Sequence, residues 1–108
     1  MAMAIHFESR GESEQGQAGV GWVILNRVKD KGFPNDICKV IHQPHQFGFI
    51  TRHLKVKDKR EFEVSVRMAK RIISGKVKNP IGNRLYFNTY QMFKTKNKSI
   101  KVGKHVFF

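Results

Sequence analysis

A carboxylic acid with apolar neighbours is the feature of this sequence best suited to chemistry. It is Glu8, in the segment 7–12, which reads Phe-Glu-Ser-Arg-Gly-Glu and follows a mostly apolar stretch. Apolar surroundings disfavour the charged carboxylate, so we expect the pKa of Glu8 to be raised. A carboxyl that is protonated near neutral pH can donate a proton to a glycosidic oxygen, the general-acid step of glycoside cleavage. The simpler alternative is a Glu8 that is solvated or paired with Arg10.

Most glycosidases use a second carboxylate, whose distance from the acid separates retention from inversion. None of the candidates is distinguished by its neighbours; they are Glu12, Glu14, Asp30, Asp36 and Asp58. Glu12 follows Glu8 by four residues, but Gly11 should break a helix between them, so a shared face is not assumed. We interpret Glu12 as a residue that either positions the catalytic group without touching the substrate or forms a salt bridge, with Arg10 or Arg27 as partner.

Metal-dependent chemistry is not indicated by the histidines. Five are present, but His42 and His45 flank a proline, and no His-Glu-x-x-His or Cys-x-x-Cys spacing occurs. We therefore expect neither a metal nor a cofactor. A Ser-His-Asp or Cys-His triad is an alternative that spacing does not exclude, because its members can be far apart in the sequence and meet in the fold. No Gly-x-Ser-x-Gly motif is present.

The elements that must position these residues begin with a helix over 1–10, which Gly11 would end. A second helix should start after Ser13 as N-cap and run to about residue 29. Its apolar face would carry Ala18, Trp22, Leu25 and Val28. Glycines at positions 16, 19 and 21 lower its helix propensity and indicate that another backbone packs closely against it.

A short helix over 37–42 and a loop over 43–52 should follow. A longer helix is expected after Asp58, with Glu61 completing a capping box, and should end at Gly75. The apolar residues at helical spacing are Phe62, Val66, Ala69 and Ile73, and the basic residues of the opposite face are Arg60, Arg67, Lys70 and Arg71.

The last part of the chain favours strands at 85–87, 99–102 and 105–108, with a two-residue turn at Gly103 and Lys104. We therefore expect one domain over residues 1–108, because a chain of this length can bury a single core. Its class should be α+β, mainly helical with a small antiparallel sheet formed by the C-terminal segment.

The formal net charge is +13, from 21 Lys and Arg against 8 Asp and Glu. A polyanion is the natural partner, and both nucleic acid and an anionic cell wall fit this charge. No apolar stretch approaches the roughly 20 residues that span a bilayer. The first residues lack the basic and apolar regions of a signal peptide. We expect a monomer.

Several motifs occur in the order of one known family. They are Glu8-Ser9-Arg10-Gly11-Glu12, Gly16-Gln17, Val-Ile-Leu-Asn-Arg-Val at 23–28, Phe33-Pro34, Val40-Ile41, Gln46-Phe47, Tyr86-Phe87-Asn88 and Gly-Lys-His-Val-Phe at 103–107. The chain resembles the catalytic domain of spore-cortex-lytic enzymes, the SleB-like cell-wall hydrolases, over essentially its whole length.

This resemblance implies a lysozyme-like fold and cleavage of the β-1,4 bond between N-acetylmuramic acid and N-acetylglucosamine. Glu8 matches the catalytic acid of the family. Enzymes of this kind often work as lytic transglycosylases, in which the acid protonates the leaving oxygen and then takes a proton from the muramyl C6 hydroxyl, closing a 1,6-anhydro ring. That mechanism needs no second carboxylate.

The resemblance also implies substrate contacts elsewhere in the chain. Gln46 and Phe47 would line the glycan groove, with packing of the loop against the core as the alternative. Tyr86 and Asn88 would orient Glu8 or an N-acetyl group, with strand packing and a turn as the alternative. His105 would hydrogen-bond the sugar or Glu8, although a histidine beside aromatic residues is often structural.

Three features depart from the family pattern. Ser9 replaces a commoner Ala, Thr89 replaces the proline that usually follows Phe-Asn, and the segment 90–101 is short and lacks a tryptophan. The last difference affects the segment that, by this resemblance, would bind sugars distant from the cleaved bond.

The sequence thus predicts a peptidoglycan-degrading glycosidase that acts on the bacterial cell wall, binds glycan strands and attracts anionic wall polymers through its basic surface. Two rival hypotheses stay open: an N-acetylmuramoyl-L-alanine amidase, which would need zinc, and a basic nucleic-acid-binding module. Because no signal peptide is recognised, we expect either a phage lysis enzyme held in the cytoplasm of its host before lysis or a fragment of a secreted protein.

Overall fold

The computed structural model describes residues 1–43, 47, 48, 52, 54–89 and 99–108. Helix α1 spans Ala2–Ser9, α2 spans Glu14–Lys29, α3 spans Ile37–Ile41 and α4 spans Lys59–Ile73. Strands β1 (Phe87–Thr89), β2 (Ile100–Val102) and β3 (His105–Phe107) form an antiparallel sheet. The predicted α+β class, mainly helical with a small C-terminal sheet, is confirmed.

Helix α2 packs against α1, α3, α4 and β2. Ser13 caps it as predicted, since its hydroxyl accepts a hydrogen bond from the backbone N–H of Gly16 at 3.2 Å. The fully buried apolar side chains are Val20, Val23 and Ile24, and the partly buried ones are Trp22, Leu25 and Val28. The predicted apolar face was therefore wrong in large part: Ala18 is buried, but the three fully buried residues lie outside that face, because neighbours cover this helix on several sides.

Two glycines of α2 let side chains approach its backbone closely. A Cβ atom on Gly19 would lie 2.5 Å from Cζ of Phe107, and one on Gly21 would lie 2.5 Å from Cδ1 of Ile72. The predicted close neighbour is thus present, but the expectation of a second backbone was wrong. The neighbours are an aromatic ring of β3 and a methyl group of α4.

Helix α4 packs against both α1 and α2. Asp58 caps it by accepting a hydrogen bond from the backbone N–H of Glu61 at 3.0 Å. The buried residues of α4 are Ser65, Met68, Ala69 and Ile72. Ile73, predicted to face the core, is 58% exposed. Since successive residues of a helix are about 100° apart, its buried stripe lies one position from the predicted one.

The sheet has the strand order β1-β3-β2, so β3 is the central strand. Gly103, in the left-handed region at φ +61°, makes the predicted turn between β2 and β3. Strand β1 starts at Phe87, later than predicted. The preceding residues Leu85 and Tyr86 instead donate backbone hydrogen bonds to the carbonyl of Phe108 at 3.2 and 3.0 Å.

The core has two groups of buried residues. One includes Ile5, Val23, Ile72 and Phe107. The other includes Ala4, Ile24, Val40 and Phe47. Phe87 packs against both groups, so the start of β1 connects them. In the described parts of the chain, no helix is both long and apolar enough to cross a membrane.

Candidate active site

Glu8 lies in the last turn of α1, where the sequence places it. The residue is partly buried, and this burial raises the pKa of its carboxyl above the usual value. Among the described residues, no side chain forms a hydrogen bond or an ion pair with this carboxyl, and Arg10 is exposed. The predicted raised pKa is confirmed. Such a group can hold a proton and donate it.

The turn after Glu8 is held to both flanking helices. Gly11, at φ +80°, allows the chain to leave α1. The backbone N–H of Glu12 donates to the carbonyl of Ser9 at 3.0 Å, and the side-chain amide of Gln17 donates to the carbonyl of Glu12 at 3.0 Å. These bonds fix the position of the chain between Glu8 and α2.

Glu12 joins this turn to the β2–β3 hairpin. Its Oε1 accepts a hydrogen bond from the backbone N–H of Lys104 at 2.7 Å and lies 3.2 Å from Nδ1 of His105. The expected partners, Arg10 and Arg27, were wrong, because the hairpin folds back and presents its own donors to this carboxylate. Within the described residues, no three His, Cys, Asp or Glu side chains are grouped so that they could hold a metal ion.

The sheet separates two of the predicted substrate-binding residues. Asn88 is opposite Val106 in the register, whereas His105 is opposite Thr89. Because neighbouring residues of a strand point to opposite faces, Asn88 and His105 project from different faces of the sheet. His105 is 5% exposed and contacts Glu12, and Asn88 is half-buried with an interaction of its own. The structure does not bring these two side chains together.

Phe47, predicted to line the glycan groove, lies in the core. It is 2% exposed and packs with Ala4 and Ile24, and its ring centre is 6.2 Å from that of Phe87. This burial favours the alternative, packing against the core, over direct contact with a glycan. Its neighbour Gln46 lies outside the described residues.

Tyr86 belongs to a group of aromatic side chains at the surface. It is 43% exposed, stacks on Phe108 at 5.6 Å between ring centres, and meets Phe33 edge-on at 6.2 Å. Its ring can therefore contact a ligand. The described hydrogen bonds include none between its hydroxyl and Glu8.

The family of the chain follows from comparison with known proteins. A family model described as Cell Wall Hydrolase matches residues 11–108. The chain belongs to the cell wall hydrolase family. A spore cortex-lytic enzyme of Bacillus cereus is 37% identical over a stretch that covers 99% of this chain and 42% of that protein. One from Oceanobacillus iheyensis is 35% identical, with coverage of 99% and 39%. The chain spans about two fifths of the length of these curated relatives.

Solved structures of this cell wall hydrolase family are also similar. The catalytic domain of the Bacillus cereus SleB protein has a TM-score of 0.77 at 33% identity, covering 99% of this chain and 84% of that one. The catalytic domain of the germination-specific lytic transglycosylase SleB from Bacillus anthracis has a TM-score of 0.78 at 33% identity, covering 99% and 88%. The lysozyme-like fold that the resemblance implied is confirmed.

The family match and the candidate acid do not overlap. The cell wall hydrolase model begins at residue 11, three residues after Glu8, and includes Glu12 and His105. The structural likeness covers 99% of the chain. None of these matches assigns a role to Glu8, so the case for this residue as the acid depends on its environment.

The burial of Arg27 was not predicted, because the sequence suggested this residue only as a partner of Glu12. Arg27 is 3% exposed, and its guanidinium carbon lies 5.1 Å from the ring centre of Phe33 and 5.4 Å from that of Tyr86. Its Nε donates to the carbonyl of Leu85 at 2.7 Å, and burial lowers its pKa. A cation inside the apolar stretch 23–28 was the available signal. Arg27 holds the segment before β1 against α2.

Proposed function

We propose that this chain cleaves peptidoglycan glycan strands between N-acetylmuramic acid and N-acetylglucosamine as a lytic transglycosylase. The observation that carries the proposal is the Glu8 carboxyl, partly buried at the end of α1 with a raised pKa. A protonated carboxyl is what a leaving glycosidic oxygen requires. The names of the relatives, a spore cortex-lytic enzyme and a germination-specific lytic transglycosylase, support the substrate and the reaction type.

Glu8 acts twice in the proposed reaction. It first donates its proton to the glycosidic oxygen as the bond from this oxygen to the muramyl C1 breaks. The resulting carboxylate then takes the proton of the muramyl C6 hydroxyl while the C6 oxygen bonds to C1. One product carries a 1,6-anhydromuramyl end, the other a free C4 hydroxyl, and Glu8 is protonated again. Glu12, the next carboxylate along the chain, is bonded to the hairpin and has no part in these steps.

Mass spectrometry of digested peptidoglycan tests this proposal. We expect anhydromuramyl ends from the natural chain, loss of cleavage with Glu8→Gln, and retained cleavage with the control Glu63→Gln, which changes an exposed carboxylate of α4. Reducing ends alone would indicate hydrolysis by water and contradict the transglycosylase step. New amino termini without glycan cleavage would indicate an amidase, and loss of activity with a chelator would point the same way.

We also propose that the basic face of α4 attracts anionic wall polymers. Its members Arg60, Arg67, Lys70 and Arg71 are all exposed, and no described acidic side chain is ion-paired with them. The net charge of +13 also attracts anionic polymers. A nucleic-acid-binding module would use this face too, but its salt-dependent binding to DNA or RNA would be the main activity and no glycan cleavage would accompany it.

A further inference from the structure

A cavity of about 510 Å³ lies apart from the candidate acid. It opens between the start of α2, the end of α4, the segment 77–80 and β2, and Glu8 does not line it. Its apolar wall includes Ala18, Met68, Val77 and Val102. Ala18 and Met68 are almost fully buried, so they form its floor. A cavity of this size with an apolar floor is typical of sites that bind small molecules or short chains.

The rim of this cavity carries charges of both signs. Glu14, Arg71 and Lys78 line it, and all three are exposed. Within the described part of the chain, these three side chains form no salt bridge with each other. Arginine and lysine bind carboxylates, and a glutamate binds an ammonium group. The matching ligand has short aliphatic side chains, carboxylates and an amino group.

We propose that this cavity binds the peptide stem of peptidoglycan, so that the chain prefers glycan strands that carry stems. The inference depends on the proposed function and identifies a second part of the same substrate. A stem has the required chemistry, because its alanyl methyl groups fit the apolar floor and its carboxylates and amine fit the charged rim.

The chain connects this cavity to the candidate acid over a short distance. Glu14 follows Glu8 by six residues, so their Cα atoms are at most about 20 Å apart. Glu12, between them, is bonded to Lys104, two residues after Val102 of the cavity wall. The inference requires a stem attached close to the cleaved bond to extend along this connection to the cavity.

Two sets of soluble glycan strands test the inference, one with stems and one from which the stems have been removed. Both are free of phosphate-bearing polymers. We compare the natural chain with Arg71→Glu/Lys78→Glu and with a control, Lys31→Glu/Lys39→Glu, which has the same net charge and changes exposed residues that do not line the cavity. We expect the natural chain to favour stem-bearing strands about tenfold in kcat/KM, mainly through KM, as a few charge-assisted bonds would give. The cavity variant should lose this preference and the control should keep it.

Direct binding separates this inference from the proposed function. A free stem peptide titrated into Glu8→Gln should bind, and binding should weaken about tenfold when Arg71→Glu/Lys78→Glu is added. Equal cleavage of both strand sets by the natural chain, or equal loss of preference in both double variants, would overturn the stem site. Absence of glycan cleavage with stem binding retained would refute the proposed function and leave the stem site standing.

Discussion

Glu8 and Glu12 are four residues apart, but their surroundings give them different chemistry. The Glu8 carboxyl is desolvated and without a described partner, so its pKa is raised. The Glu12 carboxylate accepts a hydrogen bond from the hairpin and lies beside His105, so it acts as a structural link. Gly11 makes this difference possible because it turns the chain between the two residues. A single carboxyl with a raised pKa suits a reaction in which one group is first acid and then base.

Replacing Glu8 by Gln should abolish cleavage and raise stability at high pH. A raised pKa means that the folded chain holds this proton more tightly than the unfolded chain, so the stability it gives is lost as pH rises through the folded pKa. Gln carries no charge and avoids that loss. Thermal melts between about pH 4 and pH 9 should show a difference from the natural chain that grows until the folded pKa has been passed and then stays level. The same difference at every pH in this range would mean that the Glu8 carboxyl is not desolvated.

His6 should make the fold sensitive to acid. It is fully buried, and in the described structure neither ring nitrogen has a hydrogen-bond partner. Burial and then Arg10 lower its pKa, while Glu61 and Asp58 act in the opposite direction. A lowered folded pKa means that the unfolded chain takes up the proton first, so stability falls as pH drops below about 6.5. Between about pH 7.5 and pH 5, the range in which histidine titrates, the variant His6→Leu should lose less stability than the natural chain. Urea unfolding measures the loss. Equal losses in the two proteins would exclude His6 as the cause.

The sequence predicted the apolar environment of Glu8 but not the contacts that nearby residues make with distant parts of the chain. Its apolar neighbours and the glycine after it are local signals, so the raised pKa and the end of α1 followed from residues 1–11. The partners of Glu12 are 92 and 93 residues away, and no local pattern connects them. The same holds for Arg27, whose hydrogen bond to Leu85 spans 58 residues.

The helices and the sheet meet at α2, whose glycines decide how close the neighbouring elements come. Ser13, Asp36 and Asp58 cap α2, α3 and α4, which places the helix starts where local sequence predicts them. The buried faces were harder to predict, because α2 is covered on several sides and α4 turns Ile72 inward and Ile73 outward. Which face of a helix is buried depends on the elements that pack against it, and these elements come from distant parts of the sequence.

Two alanine substitutions in α2 should have different effects. A methyl group at Gly19 would meet the ring of the fully buried Phe107 at 2.5 Å, and a ring packed on all sides cannot move easily. We expect Gly19→Ala to lower the free energy of unfolding by about 1–3 kcal/mol. At Gly21 the close atom is the terminal methyl of Ile72, which can rotate, and a helical Ala is favoured over Gly by about 1 kcal/mol.

Urea unfolding of both variants measures this difference, and Gly21→Ala should be nearly neutral. A loss at position 21 as large as that at position 19 would show that the packing around Ile72 is as tight as that around Phe107.

The molecule as a whole is a strongly basic member of the cell wall hydrolase family, in which the candidate acid does not line the cavity described above. The fold class and the excess of positive charge were predictable from composition and pattern. The cavity was not, because its walls come from positions 14–18, 68–71, 77–80 and 102, which are brought together by packing alone.

Binding to cell walls should depend steeply on salt. The screening length falls from about 10 Å at 0.1 M to about 3 Å at 1 M salt, so attraction to anionic polymers should largely vanish over this range. Retention of Glu8→Gln on intact walls measures it without cleavage. Adding Arg60→Glu and Arg67→Glu should weaken binding more than the control pair Lys31→Glu and Lys39→Glu, which lies elsewhere on the exposed surface. Equal weakening would show that net charge matters and the face of α4 does not.

The central position of β3 has a consequence for the order of events during synthesis. Residues 105–107 come after every other described element in the chain, yet they pair with both β1 and β2, and Phe107 fills the space beside Gly19 of α2. While the chain emerges from the ribosome, the helices can form and meet, but neither sheet pairing can close and the core lacks the ring of Phe107. The sheet and this part of the core therefore close only when β3 has left the exit tunnel, and a translation arrest before that point would leave an incomplete core exposed to proteases.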